Sequence, residues 1–146
     1  MENLGSPKVF TLEQLFGEVG VEVAPGQKLQ VAAGDTVRVT ATIEYKGPAL
    51  SDTFRVAIGT RGFAGFDEIL VGRVGVSLGP SLYAFTTYTL TVNIPITSAI
   101  SPGTNYDLYV KLENNPGAGI PEVDDVIDVV GAPTFQNFKI TDYSKV

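Results

Sequence analysis

Residues 36–47, TVRVTATIEYKG, alternate between apolar and polar without a break. Val37, Val39, Ala41, Ile43 and Tyr45 fall on one side of an extended chain. Thr36, Arg38, Thr40, Thr42 and Glu44 fall on the other. Successive side chains of a strand point to opposite faces, so this pattern sets one face on a core and the other in water. DTFRVAIG (52–59) repeats it with Phe54, Val56 and Ile58 inward. FTTYTLTVNIPI (85–96) does so with Tyr88, Leu90, Val92, Ile94 and Ile96. The outward Thr87, Thr89 and Thr91 suit a solvated β surface, where β-branched side chains are favoured. Pro95 cannot donate to a ladder, so that strand end is expected at an edge or unpaired.

The rest of the chain reads as strands punctuated by Gly and Pro. DEILVGRVGVSL (67–78) carries apolar residues on both faces with Gly72 and Gly75 between them, the pattern of a bent or bulged strand. VDDVIDVV (123–130) is the last strand of the set, and VGVEV (19–23) with LQV (29–31) supplies the first. TLEQLFGEV (11–19) is the single helix candidate, with Thr11 as N-cap and Gln14 at the capping-box position. About seven strands joined by Gly/Pro turns give an all-β, two-sheet, immunoglobulin-like sandwich. The expected organisation is an N-terminal arm (1–17), the sandwich (18–131) and a C-terminal strand or arm (132–146).

SPGTNYDLYVKL (101–112) runs from a corner into a strand. Ile100 closes the corner, Pro102 and Gly103 make the turn, and Tyr106 opens a strand with Leu108, Val110 and Leu112 on its own face. A tyrosine so placed can bury its ring while its hydroxyl returns to backbone a few residues upstream. The bland alternative is a half-buried strand aromatic. The segment resembles the L-x-P-G-T-x-Y-x-V corner of fibronectin type III domains. GDTVRVTATIEYKGP with TFRVAIG is similar to the second and third strands of CARDB-like bacterial adhesion-type sandwiches. The likeness spans residues 28–130 and implies the sandwich fold, with little to say about function.

Several chemistries are disfavoured by composition. There is no Cys and no His, so disulfides, thiolate metal sites and the commonest general base are excluded. Ten basic against sixteen acidic residues give a net charge of −6, the wrong sign for nucleic acid. No G-x-S-x-G, S-x-x-K or P-loop pattern occurs. A non-enzyme without cofactor is expected. No stretch approaches the roughly 18 apolar residues of a membrane span. The N-terminal residues do not have the form of a signal peptide, so synthesis in the cytoplasm is expected. Glu122, Asp124 and Asp125, curled in a loop with Asn114 or Asn115, are a weak Ca²⁺ candidate. On a straight strand, Asp124 and Asp128 would lie about 13 Å apart along one face. A solvated acidic edge that discourages sheet pairing is the preferred reading.

Contact surfaces are the stronger signal. YKGPALSD, LGPSLYA and NNPGAGIPE are expected as loops at one end of the sandwich, bearing Leu50, Leu82, Tyr83 and Ile120. GTRGFAGFDE, with Phe63 and Phe66 beside Arg61, belongs at the other end. Apolar tips suggest contacts, unless they fold back to plug the sandwich. The arms carry Phe10, Leu12, Leu15 and Phe16 at one terminus and Phe135, Phe138 and Tyr143 at the other. The C-terminal arm is expected to pair with an edge of its own or a neighbour's sheet. The reading that unites these features is a structural subunit. It would assemble with itself or dock on a larger particle such as a capsid or tail, as a virion decoration or tail protein. A cell-surface or appendage subunit is the alternative. A carbohydrate-binding module with Tyr83, Phe63 and Phe66 as stacking platforms is another.

Overall fold

The computed structural model describes residues 27–146. The N-terminal arm with its helix candidate, the contact candidates Phe10, Leu12, Leu15 and Phe16, and the segment VGVEV lie outside the described residues. Seven strands follow in order: β1 (Leu29–Val31), β2 (Thr36–Gly47), β3 (Leu50–Gly62), β4 (Gly65–Leu78), β5 (Ser81–Pro95), β6 (Gly103–Leu112) and β7 (Glu122–Val129). A short 3-10 helix, Pro116–Ala118, sits between the last two. The strands form a large sheet in the order β1-β7-β6-β3-β4 and a small sheet of β2 and β5. β1 runs parallel to β7; every other neighbouring pair is antiparallel. The protein is therefore an all-β, immunoglobulin-like two-sheet sandwich.

The alternation read from the sequence becomes the core. Val37 and Val39 of β2 and Leu90, Val92 and Ile94 of β5 meet Phe54, Val56 and Ile58 of β3 across the sandwich, with Tyr106, Leu112, Ile127 and Val129 beside them. In β2 the polar set stays exposed at every second position, so one sheet face is wet and the other dry. β4 is bulged against β3 between Ile58 and Gly59. It also packs tightly on β5: a Cβ at Gly72 would lie 2.5 Å from Val92 Cγ1 and 2.8 Å from Ile94 Cγ1. That close approach shuts one side of the sandwich.

The corner before β6 is built as its residues suggest. Tyr106 is buried, and its hydroxyl donates to the Ser101 carbonyl at 2.6 Å. Its ring lies over Gly103, where a Cβ would be 3.1 Å from the hydroxyl. Asn105, at φ 65°, takes the left-handed conformation that turns the chain into the strand. Its N–H is met by Asp128 Oδ1 at 2.9 Å. Tyr106→Phe leaves the Ser101 carbonyl short of a partner and is expected to cost about 1–2 kcal/mol. Urea unfolding of the two proteins checks this; equal midpoints would show that the hydroxyl contributes nothing.

Two expectations need correction, and a third is narrowed to a neighbour's sheet. Leu82 and Tyr83 are not loop tips, because β5 begins at Ser81 and carries them. β7 is not a sheet edge, since β1 pairs with it at Ile127, Asp128 and Val129. Only its first part, residues 122–126, lacks a partner on that side among the described residues. The C-terminal segment 132–146 forms no strand on its own sheets and is exposed throughout. Asn137, at φ 58°, breaks the extended backbone there, and among the described residues no strand pairs with it.

Candidate functional site

The solvent face of the large sheet is the most charged surface described. Register places Arg55 between Arg73 on β4 and Lys111 on β6. Three cations in one cross-strand row repel unless acids intervene. Glu113 intervenes first, accepting from Arg73 Nε at 2.6 Å, Arg73 Nη2 at 2.8 Å and Arg55 Nη1 at 3.0 Å. Glu68 accepts from Arg55 Nε and Nη2 at 3.1 and 2.6 Å, and also from the Tyr109 hydroxyl. The groups surround a cleft of about 410 Å³. The Arg73 and then the Arg55 guanidinium hold Glu113 down at about 2. Arg55 likewise lowers Glu68, against its burial. Burial and the neighbouring Glu68 push Tyr109 up. At neutral pH these acids are charged acceptors and the phenol keeps its proton.

Aromatic residues sit around this network without forming one platform. Phe66 packs on Tyr109 with ring centroids 4.5 Å apart, and Arg61 lies 5.4 Å from the Phe66 centroid. Phe63 is fully exposed at the tip of the β3–β4 hairpin. Tyr83, 92% exposed, follows the opposite end of β4, where Leu50 pairs with Leu78. Leu50 folds inward and is half-buried, whereas Leu82, Phe85 and Ile120 stay exposed. The expected sugar platform of Tyr83, Phe63 and Phe66 is thus divided between two ends.

Glu122, Asp124 and Asp125 do not converge as ligands. No group of three or more acids among the described residues is arranged to hold a metal ion. Glu122 instead pairs with Arg61. Asp125 sits at φ 57°, and its N–H donates to Asp107 at 2.8 Å. The Asp124 carboxyl shares a hydrogen bond with Glu122 and is pushed up to about 6, while Arg61 keeps Glu122 low. A raised acid holds its proton longer when folded than when unfolded. Asp124 therefore contributes stability that is present below about pH 4 and lost as pH rises to about 6, while the lowered carboxyls Glu113, Glu68 and Asp52 contribute in the opposite sense over the lower part of that range. Asp124→Asn removes that loss, which a series of melting temperatures between pH 4 and 8 reads directly. Wild-type and Asp124→Asn profiles that run parallel over that window would refute the assignment.

Two buried carboxylates escaped the sequence reading. Asp52 accepts from the Thr53 and Asn114 N–H groups at 2.6 and 3.0 Å, and from the Asn115 side chain. Burial works against its charge, but the bonds from Asn115, Asn114 and Thr53 outweigh it and lower its pKa. Asp107 accepts from the N–H groups of Arg61 and Asp125 at 2.7 and 2.8 Å. Each carboxylate ties separate stretches of the chain together. Asp52 had one signal, its place in the inward set with Phe54; Asp107 had none.

Among the described residues, the surfaces left for contact are the exposed apolar side chains at both ends, the open edges of the small sheet and the C-terminal segment. No helix of the described residues is long and apolar enough to cross a membrane. No family model matches the chain, and no curated protein matches its sequence. A solved structure of the extracellular domains of the voltage-gated sodium channel beta4 subunit, described as parallel homodimers, has 11% identity and a TM-score of 0.31. The match covers 84% of this chain and 100% of the other. The immunoglobulin-like assignment rests on this chain's own strand order.

Proposed function

We propose that the protein is a non-enzymatic structural subunit that assembles with copies of itself or docks on a larger particle, such as a virion as a decoration or tail component. One observation carries this reading. Residues 132–146 stand clear of the folded body with Phe135, Phe138, Ile140 and Tyr143 each at least 84% exposed. So much apolar surface on a free segment is costly in water and favours burial against a partner. The immobilised carboxylates and the absence of His and Cys support a role without catalysis. A cell-surface or appendage subunit is the second reading, supported by the same exposed C-terminal segment. Light scattering over a concentration series tests the shared core of both. Masses at multiples of the monomer are expected. A monomer at the highest concentration, with no particles in negative stain, would overturn self-assembly.

A further inference from the structure

The small sheet sets two strands against five. Among the described residues β2 pairs only with β5, so the backbone groups along its other side have no strand partner. Such an edge is a template for strand addition. The apolar surface beside it is also incompletely covered. Ala41, Ile43 and Tyr45 of β2 and Leu108 and Val110 of β6 are only half-buried, and Val123 is 42% exposed. A cleft of about 330 Å³ separates Ile43 and Tyr45 from Leu112, the next residue of the β6 inner face after Val110. β4, the far edge of the large sheet, differs, since at Gly72 it is already closed down on β5.

The same chain carries a segment suited to that edge. Phe138 and Ile140 are two residues apart and 101% and 84% exposed. In an extended conformation, which requires Asn137 to leave its φ of 58°, they share one face, with Asn137, Lys139 and Thr141 on the other. We infer that residues 136–141 of one chain add to the open edge of β2 in a second copy, as the third strand of its small sheet. This deepens the assembly reading and rests on it. Phe138 and Ile140 then cover the half-bare surface beside Ile43 and Val110. Asn137, Lys139 and Thr141 extend the polar face of Thr40, Thr42 and Glu44. Backbone hydrogen bonds supply the affinity and the two apolar side chains the register. Charge favours the encounter: segment 132–146 holds two Lys and one Asp, and the rest of the chain eight basic and fifteen acidic residues.

The acceptor is a second copy because the segment packs on none of the described residues of its own domain. Among the described residues, the last backbone bond near it is Val130 N–H to the Val31 carbonyl; residues 132–146 are exposed and β2 has no strand partner but β5. Segment and edge are different surfaces, so the contact is heterologous and propagates head to tail.

The absence of Cys makes a clean test available. Thr42→Cys and Lys139→Cys are made in separate chains with tags of different mass, mixed and oxidised. A linked pair containing one chain of each kind is expected, at several times the yield of either variant oxidised alone. Removing residues 132–146 should weaken self-association at least about tenfold while leaving the melting temperature of the core unchanged. If the full chain assembles and the shortened chain assembles equally well, the strand-addition inference fails and the assembly reading survives. If the full chain is monomeric, both fail. If Thr42→Cys and Lys139→Cys placed in one chain link only within that chain, the segment closes on its own domain and the inference is overturned.

Discussion

Phe54→Ala should unfold a large fraction of the protein under conditions where the wild type is fully folded. Phe54 is 1% exposed in β3, paired with Leu112 and facing the small sheet across the core. Truncating it removes the ring's transfer free energy and leaves a cavity that strands on both sides hold open. The expected cost is about 3–5 kcal/mol. Domains of this size have about 5–15 kcal/mol in all, so the loss takes from about a fifth to all of the margin. Denaturant unfolding followed by tyrosine fluorescence reads it, since no Trp is present. A loss below about 1 kcal/mol would mean that the two sheets do not meet at this residue.

Gly59→Ala is the second large effect, and its cause is backbone rather than packing. At the β3–β4 bulge a Cβ on Gly59 would lie 1.9 Å from the Asp67 carbonyl oxygen and 2.9 Å from its carbon. No side-chain rotation relieves a clash with main chain. The bulge must open, and with it the pairing of Gly59 with Glu68 and of Thr60 with Asp67. A loss of more than about 3 kcal/mol is expected, with poor soluble yield as the first sign. Gly75→Ala is the control. It lies in the same hairpin with nothing within 4 Å of the point its methyl group would occupy, and should change stability by less than about 1 kcal/mol. Equal behaviour of the two variants would show that the bulge is not where Gly59 places it.

Much of the fold was written in local pattern. β2 occupies 36–47, the segment whose alternation is cleanest, and Tyr106 turns its hydroxyl onto Ser101 as the Pro-Gly corner suggested. A bend or bulge in β4 was expected from Gly72 and Gly75, but both pair in register with Val56 and Thr53, and the irregularity falls at Ile69, between the Leu70–Ile58 and Glu68–Gly59 pairs. Leu82 and Tyr83 were misplaced because Gly79 and Pro80 punctuate the chain before them, and the length of the turn was overestimated. The strand resumes at Ser81, held by its pairing with Gly47. The acidic run 122–128 looked like an edge because its charges suit one. Its actual position was set by β1, three residues long and almost a hundred positions earlier in the chain.

The charged face was not legible at all. Arg55 meets Glu68 thirteen residues away and Glu113 fifty-eight away, and nothing near any of the three announces the others.

Which side chains face inward, and where the chain turns, follow from the order of residues alone, because alternation and Gly/Pro geometry act between neighbours. Folding in three dimensions was needed to choose which strands pair, to stop the small sheet at two strands among the described residues, and to leave the C-terminal segment off its own domain. Those outcomes depend on sums of weak contacts between distant residues. Several arrangements of the same alternating strands satisfy the local rules equally well, and packing across the sandwich selects one.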